Sequence, residues 1–167
     1  MEEVIDHNNN RPLVESAEAR LAMKGIELPR VPTPLGAYLP AVRTANLLFL
    51  SGMLPIDGHE PRFQGRVGME LSATQGYDAA RATALNALAV ARQHLGSLDR
   101  ITRVVRIGVY IAAAGDPVEQ PRIADGASDL FQEIFGKERI SARLVIGVTS
   151  LPLGVPVELE VILEVSD

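Results

Sequence analysis

The C-terminal stretch between residues 141 and 164 constrains the fold more than any other part of the chain. Two predicted strands, 141–148 and 157–161, flank the turn-forming sequence Leu151-Pro152-Leu153-Gly154. In the second segment apolar and acidic side chains alternate, which is typical of a half-buried β-strand. One face carries Val157, Leu159, Val161 and Leu163, and the other carries Glu158, Glu160 and Glu164. The pattern predicts two strands joined as a hairpin, with a solvent-facing acidic side on the second strand.

Arg143 opens the first of these strands and is the single cation of an otherwise apolar segment. A guanidinium stays charged at physiological pH, and its planar fork of donors matches a carboxylate. Arg143 is therefore a candidate anchor for a small carboxylate ligand. The competing interpretation is a structural ion pair with Glu158 or Glu160.

Composition excludes some kinds of site and disfavours others. The 167 residues are 47% hydrophobic, which suffices for one domain with a proper core. There is no cysteine, so disulfides, thiolate zinc sites and a cysteine nucleophile are excluded, and a reducing, cytoplasmic location is expected. A net charge of −5 and 4% aromatic residues are poorly suited to tracking phosphates or stacking bases. Nucleic acid is thus a disfavoured partner.

The first 31 residues are expected to stand apart from the rest. Residues 1–12 are polar and acidic, unlike a signal peptide, and are expected to be disordered. Residues 14–25 predict a short helix with Leu21 facing inward and Gly25 as its stop, and a proline-rich connector follows. We therefore divide the chain into a tail (1–12), a helix with its connector (13–31) and a single domain (32–167). No apolar run approaches the ~20 residues of a membrane span, so no membrane association is expected.

Strand and helix signals alternate through the remainder. Short strands are predicted at 41–43 and 47–50, a loop at 57–70, and a Val/Ile-rich strand at 101–113. A capping-box pattern at 72–75 begins a helix whose alanine-rich stripe continues to Gly96. A second helix is predicted to start at Asp116-Pro117 or at Pro121 and to end at Gly136.

The order β-β-α-β-α-β-β predicts an α+β fold, with a mixed sheet covered by two helices on one face. The sequence offers no third long helix for the other face. An oligomer built around that face is the expected solution.

Four motifs occur in order between residues 36 and 160. They are Gly36-Ala37-Tyr38 with Ala41-Val42-Arg43; Asn46-Leu47-Leu48-Phe49-Leu50-Ser51-Gly52-Met53-Leu54-Pro55; Ala142-Arg143; and Leu151-Pro152 with Glu158-Leu159-Glu160. Together they resemble the YjgF/RidA family of reactive intermediate deaminases, also labelled endoribonuclease L-PSP, over roughly residues 32–165. The segment from Asp125 to Leu130 and the N-terminal helix are similar to a longer subgroup of that family.

The resemblance implies a chorismate-mutase-like fold assembled as a homotrimer, with sheets inside and ligand clefts between subunits. It also implies hydrolysis of small enamine or imine acids, such as 2-aminoacrylate and 2-iminopropionate, to 2-keto acids and ammonia, without a metal or organic cofactor. The matching motifs assign the substrate carboxylate to Arg143 and the attacking water to Glu158. They assign the pocket lining to Tyr38, Ser51, the Gly52 amide and the Val145 carbonyl.

Several of these candidates also have plainer interpretations. Tyr38 is equally a packed aromatic, and Ser51 before a glycine is ordinary turn chemistry. Ser128, on the second helix, is a further candidate for the cleft or else part of a polar helix surface. Leu144-Val145 stand where the family's deaminases usually carry small or polar residues, so we expect a more apolar pocket.

The leading expectation is therefore a cofactor-free enamine/imine deaminase that uses Arg143 and Glu158 on a small carboxylate substrate. The alternative is a trimeric binding protein that holds a carboxylate metabolite in the same clefts without turnover. An endoribonuclease is least favoured, because the chain is acidic, poor in aromatic residues and without an evident pair of catalytic histidines.

Overall fold

A computed structural model describes residues 15–115 and 119–167. Its elements are α1 (Ala17–Met23), β1 (Ala41–Thr44), β2 (Leu47–Leu50), β3 (Ile56–Asp57), β4 (Glu60–Pro61), α2 (Ala73–Leu95), β5 (Ile101–Ala112), α3 (Gln120–Phe135), β6 (Ala142–Val148) and β7 (Val157–Val165). The segment predicted as loop, 57–70, includes β4 and the second residue of β3, which pair as a short ribbon. The tail at 1–12 and the helix start at Asp116-Pro117 lie outside the described residues.

Five strands form one mixed sheet in the order β1-β2-β7-β5-β6. Only β5 and β6 run parallel, so the expected α+β fold with a mixed sheet is confirmed. The predicted hairpin between 141–148 and 157–161 is wrong, because β5 lies between β6 and β7. α3 provides the crossover that a parallel β5–β6 pair requires. β7 lies in the centre of the sheet and is hydrogen-bonded to β2 on one side and to β5 on the other.

Both predicted main helices are present and lie on one face of the sheet. Ser72 Oγ accepts a hydrogen bond from the Gln75 N–H (3.2 Å), which completes the capping box of α2, and the helix ends at Gly96 with φ 84°. α3 begins at Gln120 with Pro121 in its first turn. The two helices approach closely at Gly126, where a methyl group would collide with the Tyr77 carbonyl. Their buried side chains pack with those of the sheet into the main core.

The N-terminal helix is shorter than predicted and is hydrogen-bonded to the turn before β5. Leu21 is buried, as expected, and Gly25 follows the helix with φ 61°. The Glu18 carboxylate accepts from the Leu98 N–H, and Asp99 accepts from the Glu18 N–H, both at 2.9 Å. None of the helices in the described residues has the length and apolarity to cross a membrane.

The opposite face of the sheet carries exposed apolar side chains. Register places Val42 across from Phe49 at one end, and Leu144 and Ile146 across from Gly108 and Tyr110 at the other. The four apolar side chains are between 37% and 50% exposed. Within the described ranges no helix covers this face, which we call the helix-free face.

Candidate active site

A surface pocket of about 400 Å³ lies beside the end of β2 and the start of β7. Its lining residues are Leu35, Tyr38, Ser51, Gly52, Leu54, Pro152 and Glu158. The fold thus brings together four of the residues predicted from the sequence: Tyr38, Ser51, Gly52 and Glu158. We call this group the Glu158 cluster.

Glu158 is the titratable group at the wall of this pocket. Its neighbours on β7, Val157 and Leu159, are fully buried on the helix side, so Glu158 faces the helix-free side, across from Tyr110. The carboxyl is half-buried, and this burial raises its pKa. A carboxyl with a raised pKa accepts and returns a proton more readily near neutral pH than an exposed one.

Position 52 leaves no room for a side chain, because the Glu158 carboxyl group lies against its backbone. A methyl group built on Gly52 would overlap the Glu158 Oε1 atom, so the carboxyl group rests directly over the backbone of residue 52. Reciprocal hydrogen bonds between Met53 and Leu159, at 2.8 and 2.9 Å, hold the two segments in this register. Backbone pairing therefore places the carboxyl group at the pocket.

Ser51 and Tyr38 close the pocket through local hydrogen bonds. The Ser51 hydroxyl donates to the Leu39 carbonyl at 2.6 Å, and the backbone N–H of Ser51 donates to the Pro40 carbonyl at 3.0 Å. The Tyr38 hydroxyl accepts from the Leu35 N–H at 3.1 Å. These bonds fold the 35–40 loop onto β2, while 48% of Tyr38 stays exposed beside the pocket.

Arg143 lies elsewhere, in a second group on α3 and β6. Its Nη1 donates to Asp125 Oδ1 at 2.6 Å and to Ser128 Oγ at 3.1 Å. The proposed ion pair with Glu158 or Glu160 is therefore wrong, since the partner is Asp125. Glu160 instead lies 4.0 Å from Arg106 Nε. We call Arg143, Asp125 and Ser128 the Arg143 cluster.

Two members of this cluster, Arg143 and Ser128, line a pocket of about 210 Å³. Phe131, Gln132, Ile140 and Ser141 complete its lining. Asp125 and Ser128 are three residues apart, so they share one face of α3. That spacing lets one helix present both oxygens to the same guanidinium nitrogen.

The two clusters face opposite sides of the sheet. Arg143 pairs with the buried Ile107 and points toward α3, and Val145 packs against the core on the same side. Glu158 is two strands away on the helix-free side. A single chain therefore does not bring Arg143, Ser128 and Val145 into the pocket of Glu158.

Comparisons with known proteins agree with this architecture. The family model described as "YjgF/chorismate mutase-like, putative endoribonuclease" matches residues 18–163. The chain belongs to the YjgF/RidA family. Protein TCP17 of Trypanosoma cruzi is 37% identical over 150 residues, which cover 89% of this chain and 94% of TCP17. A RutC family protein of Aquifex aeolicus is 26% identical and covers 84% of this chain and 98% of its own length.

A solved structure extends this likeness to the whole fold. The crystal structure of a "putative endoribonuclease" from Shewanella oneidensis MR-1 superposes with a TM-score of 0.86 at 32% identity. The match covers 90% of this chain and 100% of the Shewanella chain. Because coverage is nearly complete, most of this chain falls within a fold already seen in a relative.

Two residues of this YjgF/RidA chain were not singled out from its sequence. Asn86 is buried, and its amide donates to the Leu54 and Ile56 carbonyls at 2.8 and 2.9 Å, which fixes the segment after Gly52. Its only sequence signal is a polar side chain inside an alanine-rich helix. Asp125 had a clearer one, since it lies three residues before Ser128 in the segment typical of the longer subgroup.

Proposed function

We propose that this protein hydrolyses small enamine or imine monocarboxylic acids to 2-keto acids and ammonia, without a metal or organic cofactor. The observation that carries the proposal is Glu158, a half-buried carboxyl of raised pKa held over the Gly52 backbone beside Tyr38. Imine hydrolysis is intrinsically easy, so a placed water, a proton acceptor and an anchor for the substrate suffice.

The proposed active unit is a homotrimer with its helix-free faces turned inward. The exposed apolar side chains of that face support burial against another copy. Since Arg143 and Glu158 face opposite sides of one chain, a complete site needs the two clusters from different subunits. Arg143, Ser128 and the Val145 carbonyl of one subunit would then border the pocket formed by Tyr38, Ser51, Gly52 and Glu158 of its neighbour.

In this site the chemistry is a balanced hydrolysis. Arg143 holds the substrate carboxylate, and the Glu158 carboxylate takes a proton from a water as its oxygen bonds to the imine carbon. The imine nitrogen, protonated by solvent before the attack, becomes the neutral amine of a carbinolamine. Glu158 then returns its proton to that amine. The C–N bond breaks as the hydroxyl proton passes to a solvent water, and ammonia and the 2-keto acid leave.

The decisive experiment generates 2-iminopropionate and larger imino acids in situ with an amino-acid oxidase and follows keto-acid release. We expect release above the spontaneous rate with the wild-type protein and not with Glu158→Gln. Binding of the keto acids without any acceleration would instead indicate the carboxylate-binding alternative. Light scattering provides an independent check, since a stable monomer at micromolar concentration contradicts the shared site.

Ribonuclease activity is not favoured by the chain's own residues, although relatives carry that description. The net charge is −5, and neither cluster contains a histidine. A labelled single-stranded RNA incubated under the same conditions is expected to remain intact.

A further inference from the structure

The Arg143 cluster contains a carboxylate of its own beside the cation. Asp125 Oδ1 is 2.6 Å from Arg143 Nη1, and their side chains are 47% and 28% exposed. A lone guanidinium attracts any anion, whereas one with a carboxylate in direct contact has a local net charge near zero. Ser128 accepts from the same Nη1 atom and adds no charge.

The Arg143 guanidinium uses one of its nitrogen atoms, Nη1, for its hydrogen bonds to Asp125 and Ser128. Among the described residues both hydrogen bonds leave from Nη1, and neither Nε nor Nη2 donates to a protein group. The Nε–Nη2 edge is one of the two pairs of donors with which arginine binds a carboxylate bidentately. A ligand carboxylate can therefore bind that edge while Asp125 and Ser128 hold the opposite corner.

We propose that Asp125 is a positioning and specificity-determining residue, which aims Arg143 and restricts the site to monocarboxylates whose remainder is uncharged or cationic. This inference rests on the proposed function, because it takes Arg143 as the anchor. A second carboxylate on the ligand is repelled by Asp125, and the pair leaves no excess positive charge to compensate. The preferred substrates are accordingly imino acids with neutral or cationic side chains, and acidic imino acids are rejected.

Two 2-keto acids, which are also products of the proposed reaction class, provide matched probes. Pyruvate and 2-oxoglutarate share the same keto-carboxylate head and differ by a second carboxylate on the side chain. Asp125→Asn keeps the shape and the acceptor oxygen for Nη1 but removes the charge. We expect this variant to raise the affinity for 2-oxoglutarate relative to the affinity for pyruvate by about three- to tenfold. That is the range for partly exposed charges a few ångströms apart.

Control variants separate charge from position. Glu119→Gln removes one negative charge from the residue that precedes α3, where Glu119 pairs with Arg122 at 3.5 Å, and should leave the ratio of the two affinities unchanged. Ser128→Ala removes a contact to Nη1 without changing the charge, so it should weaken the binding of both acids to a similar degree. Asp125→Ala removes charge and contact together, and asparagine should restore the pyruvate affinity that alanine loses.

Isothermal titration of each variant with both acids decides the matter, and melting curves verify that the variants are folded. If Asp125→Asn leaves the ratio of the two affinities unchanged while Arg143→Ala no longer binds either acid, the role of Asp125 is overturned. The role of Arg143 as the anchor is then supported. Unchanged binding in Arg143→Ala overturns the anchor and the inference together. Absence of binding by either acid to any variant also overturns the inference, whereas the imino-acid turnover assay judges the deaminase proposal separately.

Discussion

The Glu158 and Arg143 clusters are built by different means. Glu158 is placed by main chain: strand pairing, the glycine beneath it and the Asn86 amide fix the surrounding backbone. Arg143 is placed by side chains, through Asp125 and Ser128 on a neighbouring helix. The difference teaches that the proposed acid–base group is positioned by the backbone of the fold, while the proposed anchor depends on a half-exposed ion pair that charge changes can retune.

The largest effect is expected from Glu158→Gln on turnover. Glutamine keeps the size of the side chain and can hydrogen-bond water, but it cannot take a proton. Hydrolysis of the imino acids should fall about 10²- to 10⁴-fold, the usual contribution of a general base, while pyruvate binding changes little. A variant with the wild-type rate would show that Glu158 is only a surface residue of the acidic strand face.

Arg143→Ala is expected to weaken carboxylate binding by about 100-fold. A charge-assisted hydrogen bond contributes roughly 1.5–3 kcal/mol, and each 1.4 kcal/mol is about tenfold in affinity. Since Asp125 is 47% exposed, leaving it without its partner should cost little stability. Titration with pyruvate, beside thermal melting of the same variant, measures both quantities.

Arg143→Lys is the matched control for that variant. It should recover only part of the lost affinity, because an ammonium lacks the planar fork. A markedly lowered melting temperature in Arg143→Ala, with activity falling only in proportion to the unfolded fraction, would assign Arg143 to structure instead.

Gly52→Ala tests whether main chain places the carboxyl. The added methyl overlaps the end of the Glu158 side chain, which can swing away, so the fold should survive while the carboxyl is displaced. We expect turnover to fall by at least about tenfold, the loss that corresponds to roughly 1.4 kcal/mol of transition-state stabilisation. Gly36→Ala is the control, since its methyl would sit at an ordinary 3.5 Å from the Tyr38 ring. Equal activity in the two variants would contradict a fixed position for Glu158.

The smallest effect concerns stability and pH. Burial raises the pKa of Glu158 in the folded protein, so the folded state holds its proton more tightly than the unfolded state does. This favourable contribution is complete below the unfolded pKa of about 4.3 and disappears as the pH rises through the folded pKa. Glu158→Gln should therefore gain stability relative to wild type as the pH rises above about 4.3. Urea unfolding at matched protein concentration measures the difference, and an opposite slope would show that the carboxylate is stabilised.

Local sequence signals predicted most of the elements. The capping box, the stop at Gly96 and the alternation through β7 depend on neighbours a few residues apart, and each was found as expected. The family motifs named Ser51, Gly52 and Glu158, which the fold brings together at one pocket. The local signals failed for the hairpin, because a turn sequence between two strands does not reveal whether a third strand separates them.

Composition and local pattern determined the α+β class and the strand and helix order, since these follow from short-range periodicity and capping. Most of the candidate side chains were named by the family resemblance instead. Tertiary structure alone decided that β7 lies between β2 and β5, that Arg143 pairs with Asp125, and that Arg143 and Glu158 face opposite sides of the sheet. Strand order and parallel or antiparallel direction set these outcomes, and both arise from contacts between segments far apart in the chain. For that reason the sequence motifs named Arg143 and Glu158 as candidates but did not reveal that the two side chains lie apart within one chain.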